Sequence, residues 1–375
     1  MRAADSDIAD FRVDGRAVVY RLYDIAYEID LDRAHDLLAQ SLPARVRPAR
    51  GEAQALQIAN PPLSIVLNEE EIQLGGATYR TSLSARLFDF GVCSLELQVI
   101  VPSGTHWNQF SALGGDLEKS EAVRTRFDTA LHALRERISS ATARPGLAPV
   151  SEEYVVFRVT QLRNTDGGAE RAEALTDSHL VPLLLNEKRP LSARARQELL
   201  SNRFSYYADD LTILTWDNAL VVDPRSDDRD VEYILEFANA QLLELRVYDA
   251  LLDAELPARY DRVAAARRRH GIPTRRFQPV LSELQTRVAD VTETVERAEN
   301  ALKVTDDVYF ARLYAAALDL FRATAWRRGI ERKLTIFRET YEMLNAEAQT
   351  YRAELLEFAI LLIIVAELVL ALVKA

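Results

Sequence analysis

The stretch "LLEFAILLIIVAELVLALVKA", residues 355–375, is an apolar run that contains Glu357 and Glu367. A helix that packs only one face on a core keeps polar residues on its other faces, as residues 331–354 do. From 358 to 373 that polar face is lost. Insertion of this stretch into a bilayer is favoured by about 5 kcal/mol, against about 3 kcal/mol for one central carboxylate. The sequence therefore predicts a transmembrane anchor over 355–374.

A helix buried inside an oligomer is the alternative interpretation of this segment, because the apolar length of ~28 Å is close to the minimum for a bilayer. Glu357 and Phe358 would lie at the entry of the anchor, where an interface solvates the carboxylate. Glu367 would lie deeper, so we expect it to contact another helix, either of a second copy or of another membrane protein. These three residues are the predicted anchor and helix-contact positions.

Residues 228–354 have the pattern of a helical coiled-coil region. A heptad seam spans 281–302, with apolar residues three and four positions apart. A second seam begins at Ile330 and Leu334 and continues through Phe358, Leu362, Val365 and Val369. The polar turn at 305–307 is short, so the two seams are expected to form an antiparallel hairpin.

The first 227 residues show short β-rich runs separated by turns and helices, which predicts an α/β head. The strands are expected at 17–27, 63–68, 77–90, 93–102, 153–162 and 204–224, the last with a hairpin turn at Asp217 and Asn218. A Ser-, Ala- and Pro-rich linker at 139–153 separates subdomains 1–140 and 152–227, which could be two related βα units. The predicted fold class is thus α+β, with this head, a helical stalk and a terminal membrane helix.

Composition restricts the location and the partners of the chain. The net charge is −11, so no global attraction to nucleic acid or anionic lipid is expected. Cys93 is the one cysteine of the sequence, which excludes an internal disulfide and suits a reducing compartment. The N-terminus resembles neither a secretory signal nor a transit peptide. The bulk of the chain is expected in the cytoplasm, with a single membrane pass at the C-terminus.

No catalytic, cofactor-binding or metal-binding residue is predicted. The five histidines are scattered without ligand spacing, and the two Gly pairs lack a phosphate-binding context. Cys93 has no basic neighbour in the sequence that would lower its pKa, so it is interpreted as a buried apolar residue.

One basic patch stands out between the long helices. Its arginines are Arg267, Arg268, Arg269, Arg275 and Arg276. Such a patch could hold RNA or anionic headgroups, but complementing the negative end of a helix is the favoured interpretation.

Several residues resemble the uncharacterised family named "required for meiotic nuclear division". The resemblance rests on "ILEFANAQLLELRVYDALLDAEL" (234–256), on Leu356, Glu357, Phe358 and Glu367, and on "FDFGVCSLELQV" (88–99). It implies a bacterial-type, membrane-anchored and oligomeric protein without established enzymatic activity. The mitochondrial relatives of that family support translation of organelle-encoded proteins at the inner membrane.

Three functions are compatible with these observations. The leading one is a tail-anchored membrane scaffold or assembly factor that forms homo-oligomers through its helical region. The second is an adaptor that contacts RNA or the ribosome and supports translation at the membrane. The third is an enzyme with a pocket in the α/β head.

Overall fold

The structure, a computed structural model, describes residues 10–41, 46–48, 57–58, 60–187, 189, 191–225, 229–268, 302–303 and 307–374. The chain forms two compact units. The first comprises Met1–Val247 and Arg297–Thr324, and we call it the sheet unit. The second comprises Tyr248–Glu296 and Ala325–Ala375, and we call it the helical unit.

The strands of the sheet unit include long ones that overlap the predicted apolar runs and short ones that lie outside those runs. They are β1 Arg12–Asp24, β2 Ala26–Ile29, β3 Val46–Pro48, β4 Gln57–Ile58, β5 Leu63–Leu74, β6 Ala77–Leu87, β7 Val92–Ile100, β8 Thr105–His106, β9 Thr142–Pro145, β10 Ser151–Arg163, β11 Ala169–Glu170, β12 Arg203–Phe204, β13 Leu211–Leu214, β14 Asn218–Val222 and β15 Leu302–Lys303. The expected hairpin turn at Asp217 and Asn218 is confirmed, because β13 and β14 pair antiparallel on either side of it.

Eleven of the described strands form one mixed sheet. Its main path runs in the order β12-β13-β14-β10-β1-β7-β6-β5-β3. Strands β10 and β14 pair in parallel, whereas β1 pairs antiparallel with both β7 and β10. The two predicted subdomains, 1–140 and 152–227, therefore contribute strands to the same sheet, and the two expected βα starts become its adjacent strands β1 and β10.

The helices cover the sheet and form the C-terminal part of the chain. They are α1 Leu31–Ser41, α2 Trp107–Lys119, α3 Glu121–Arg137, α4 Asp177–Leu185, α5 Ala193–Leu199, α6 Asp230–Arg268, α7 Val308–Leu320 and α8 Ala323–Lys374. Residues 117–140 place Val123, Phe127, Leu131 and Leu134 on one face of a helix, which predicts an apolar face. In α3 all four residues are buried, so this prediction is confirmed.

The two faces of the sheet differ in chemistry, as neighbouring residues of β10 show. Phe157 packs on Phe110 of α2, with ring centroids 5.6 Å apart. The next residue, Arg158, forms an ion pair with Glu232 of α6 at 3.8 Å. Because successive side chains of a strand point to opposite faces, one face carries the apolar core and the other carries buried charges.

Charged side chains between the sheet and the start of α6, all buried except the partly exposed Arg16 and Arg229, form a layer of four arginines and four carboxylates. We call this the ion layer. Its members are Arg16, Arg86, Arg158, Arg229, Glu96, Asp223, Glu232 and Glu236. The equal numbers of opposite charges suit burial, because each charge needs a partner away from water.

In the helical unit, α8 begins beside the second part of α6. The Lys333 Nζ lies 2.6 Å from a carboxylate oxygen of Asp249 and 2.7 Å from one of Asp253. Burial lowers the pKa of Lys333, but the hydrogen bonds and charges of the two aspartates raise it more, and the net pKa is above the usual range. The seam at 281–302, the expected partner of α8, lies outside the described residues except for Leu302, which belongs to strand β15 and not to a helix.

The expectation of a transmembrane helix is wrong. Within the described part of the chain, no helix combines the length and the apolar character needed to cross a bilayer. The apolar stretch is the end of the 52-residue helix α8, which is charged over much of its length. It also contains Glu357 and Glu367, and one central carboxylate offsets more than half of the insertion energy estimated above. The prediction of a tail anchor is therefore wrong. The predicted location, with a single membrane pass and most of the chain in the cytoplasm, falls with it.

Candidate functional site

The sheet unit contains a cleft of about 1020 Å³ at the edge where the turn between β13 and β14 meets the ends of α2 and α4. We call it the acidic cleft, because it is lined by the carboxylates Glu118, Glu153, Asp217, Glu198 and Asp319. Arg322 is the one basic residue among its described lining residues. The lining therefore carries more negative than positive charge, and two of its carboxylates, Glu153 and Glu198, pair with Arg21 and Arg194 from outside it.

The turn residues hold the floor of the cleft in a defined geometry. The Thr215 hydroxyl donates to the Asn218 carbonyl oxygen at 2.7 Å, and the Asn218 side chain donates to the Leu184 carbonyl oxygen at 2.8 Å. The buried Tyr154 hydroxyl lies 3.0 Å from the carbonyl oxygens of both Thr215 and Asn218. The turn that carries Asp217 is thus fixed to β10 and α4.

A close approach of α2 to the sheet also shapes the cleft. A Cβ atom at Gly114 would lie 2.7 Å from the ring of Phe157, too near for an ordinary contact. Glycine at this position lets the helix lie against β10 and brings Glu118, one turn further on, to the cleft. The Asn186 side-chain amide donates to the Glu118 carboxylate at 3.3 Å.

The carboxylates of the cleft influence one another's ionisation. Burial raises the pKa of Asp217, and the negative charge of Glu118 raises it further. Burial also raises the pKa of Glu153, the Arg21 guanidinium at 3.7 Å lowers it, and the charge of Glu118 again raises it. Raised carboxyl pKa values in a cleft are typical of sites that bind or react, because a cation or a proton is favoured there.

We expect Glu118→Gln to lower the pKa of both Glu153 and Asp217. Glutamine keeps the size of the side chain and can still accept from Asn186, but it removes the negative charge that disfavours ionisation of the other two. The measurement is a ¹³C NMR titration of the carboxyl groups. Glu121→Gln, at an exposed position of α3, is the matched control and should move neither pKa. Unchanged values in Glu118→Gln would show that the three groups do not interact.

Trp216 makes two ring contacts at the rim of the cleft. The Arg322 guanidinium lies 5.9 Å from the Trp216 ring centroid, and Arg322 adopts a positive φ of 54°. Trp216 also meets the Phe321 ring edge-on, with centroids 6.2 Å apart. A left-handed backbone at a non-glycine residue carries strain, which is often found beside binding sites.

The predicted site residues lie elsewhere. Glu357, Phe358 and Glu367 are all exposed on α8. Arg267 and Arg268 end α6, whereas Arg269, Arg275 and Arg276 lie outside the described residues, so the basic patch stays a prediction. Cys93 is buried, as expected, and burial raises the pKa of its thiol to about 12.

The acidic cleft itself was missed, because its carboxylates come from α2, β10, the β13–β14 turn, α5 and α7, and no spacing links them. Asp217 was interpreted as a turn former, which it also is. Among the described residues, no group of three or more His, Cys, Asp or Glu side chains is placed to hold a metal ion.

A mixed sheet covered by helices on both faces, with a polar cleft at one edge, defines a protein of the α+β class. Residues 14–228 match the family described as "Uncharacterized protein MJ0711, N-terminal domain". Because the match covers more than half of the chain, the protein belongs to this family. The matched range contains β2 to β14, all but the first two residues of β1, and most of the acidic cleft.

One curated relative is the "Uncharacterized protein MJ0711" of Methanocaldococcus jannaschii, which is 25% identical over 223 residues. The alignment covers 60% of this chain and 66% of the relative, so the chain spans just under two thirds of that protein's length. No solved structure matches. The resemblance to the meiotic nuclear division family stays a prediction, since the matching family carries a different description.

Proposed function

We propose that this protein is a scaffold that assembles through α8 and presents the acidic cleft of its sheet unit to a positively charged partner. The observation that carries the proposal is the exposed apolar surface near the end of α8. Nine large apolar side chains there are more than half exposed in the single chain. They are Leu356, Phe358, Ile360, Leu361, Leu362, Ile363, Ile364, Val365 and Val369. A contiguous apolar surface of this kind marks an interaction site.

The occupant that fits this surface is a second copy of the chain. The seam of α8 keeps the spacing of three and four from Ile330 to the end of the helix. Ile330 and Leu334, at its start, are 2% and 8% exposed. Phe358, Leu362, Val365 and Val369, on the same seam, are 62%, 55%, 52% and 54% exposed. A helix with the same apolar repeat can cover such a seam, and a second copy of the chain has such a helix in its own α8.

The acidic cleft suits the binding role of a scaffold. Its volume exceeds that of a single side chain, and its carboxylates come from separate elements that fix their positions. A basic peptide segment of a partner would neutralise them.

An enzymatic function is the alternative, and the acidic cleft would be its active site. Glu153 and Asp217 have raised pKa values there and could exchange protons with a bound substrate.

The assembly is tested by charging the seam. We expect the double variant Leu362→Glu, Val365→Glu to form smaller particles than the unmodified chain, because carboxylates would be buried without partners between helices. Sedimentation velocity measures this directly. Ile360→Glu, Ile363→Glu, which adds the same two charges on the side of the helix opposite the seam, is the matched control and should reduce the particle size less. A double variant that sediments like the unmodified chain would contradict assembly through the seam.

A further inference from the structure

The end of α8 is apolar around its whole circumference and not only along the seam. Residues 358–366 contain no polar side chain, and they lie between Glu357 and Glu367. At about 100° per residue, this stretch goes round the helix axis roughly two and a half times. We call residues 358–366 the apolar ring.

The side of the apolar ring opposite the seam consists of isoleucines. We call it the far face, and its residues are Ile360, Ile363 and Ile364. They lie roughly 140° to 240° around the helix axis from Phe358, which is on the seam. They are 55%, 59% and 54% exposed in the single chain, as much as the seam residues are. The far face therefore favours a covering as strongly as the seam does.

This side of the helix is polar before the ring begins. Glu331, Arg338, Glu342 and Gln349 lie on the same side of α8, and all four are exposed. A polar side on a surface helix is the ordinary pattern for a helix that packs through one seam only. The change to isoleucine is therefore confined to the end of α8.

A single neighbouring helix does not cover the ring. A helix that packs on one neighbour buries an apolar stripe about 100° wide. Two copies that meet along the seam would thus leave both of their far faces in water. A helix that is apolar all round is instead enclosed on more than one side.

From the exposure of the far face and its contrast with the polar side before it, we infer that the far face is a second contact between copies. Each α8 then meets more than one other copy, and the assembly contains more than two chains. This inference rests on the proposed function, because pairing along the seam supplies the first contact. The far face is continuous with the seam, so a pair of copies presents two aliphatic far faces on its outside, and those of other pairs match them.

The test compares the masses of full-length chains by sedimentation equilibrium. We expect the unmodified chain to exceed the mass of two chains at the higher concentrations. The far-face variant Ile360→Glu, Ile363→Glu should stop at two chains, because its carboxylates would be buried without partners in the second contact while the seam is untouched. Gln349→Glu, Thr350→Glu adds the same two charges at exposed positions before the ring and should keep the mass of the unmodified chain.

The outcomes separate this inference from the proposed function. An unmodified chain that never exceeds two copies, or a far-face variant with unchanged mass, would overturn the second contact and leave the seam pairing in place. An unmodified chain that stays single would overturn both. Flotation with phosphatidylcholine vesicles checks a lipid surface as the other occupant. Binding that is lost in the far-face variant would assign the far face to lipid and overturn the inference.

Discussion

Replacing Glu232 with alanine is expected to cost about 3 to 5 kcal/mol of unfolding free energy, because it breaks the ion layer at its centre. The Glu232 side chain is 1% exposed, and both of its carboxylate oxygens lie 3.1 Å from the Arg16 guanidinium. It also contacts Arg229 at 3.2 Å and Arg158 at 3.8 Å. Without it, the layer holds four arginines against three carboxylates, and one positive charge stays buried without compensation.

Urea denaturation followed by circular dichroism measures this loss. Glu71→Ala is the matched control, since Glu71 is an exposed carboxylate on β5, and a change within about 0.5 kcal/mol is expected there. A loss below about 1 kcal/mol for Glu232→Ala would show that water reaches the layer.

The ion layer also makes the sheet unit sensitive to acid. Burial alone would raise the pKa of Glu96, but the guanidinium groups of Arg229 and Arg86 lower it more, and the net pKa is below its usual range. A carboxyl with a lowered pKa in the folded state contributes stability above its unfolded pKa and loses that contribution as the pH falls. The contribution of Glu96 is therefore complete at neutral pH and disappears in acid.

Replacing Gly91 with alanine is expected to cost about 3 kcal/mol or more. Gly91 lies in the turn between β6 and β7 and has a φ of +99°, where L side chains are strained. A Cβ atom there would also overlap the Ala26 carbonyl oxygen. The turn cannot easily move away, because the Ile25 N–H donates to the Gly91 carbonyl oxygen at 3.0 Å. The backbone strain and the steric overlap therefore both lower the unfolding free energy of the Gly91→Ala variant.

Thermal unfolding of the two glycine variants provides the comparison. Gly146→Ala is the control, since a Cβ atom at Gly146 meets nothing within 4 Å and the residue has no positive φ. We expect its melting temperature to stay within a few degrees of the unmodified chain. If Gly91→Ala melted like Gly146→Ala, the turn would not have the geometry described.

Much of the sheet unit could be predicted from the sequence, because period-two and helical patterns are local. The strands at 63–68 and 93–102 and the apolar face of α3 were found in this way. The partners across the sheet were not, since β1 and β10 look like the starts of separate units until their register is known. Glu232 shows the limit clearly: an acidic residue near a helix start is normal, and its contact with Arg16 joins residues 216 positions apart.

The acidic cleft was missed for the same reason. Asp217 was predicted to lie in a turn, and the turn exists, but what surrounds it depends on α2, α4 and α7. The membrane prediction failed differently. It rested on a small energy margin, and the apolar stretch belongs to a long helix whose earlier part is charged.

The most direct test of the scaffold is the mass of the unmodified full-length chain in solution, measured by sedimentation equilibrium over a hundredfold range of concentration. Assembly through α8 requires a mass that is a whole-number multiple of the 42.3 kDa chain at the higher concentrations. A mass of 42.3 kDa at every concentration would contradict the account.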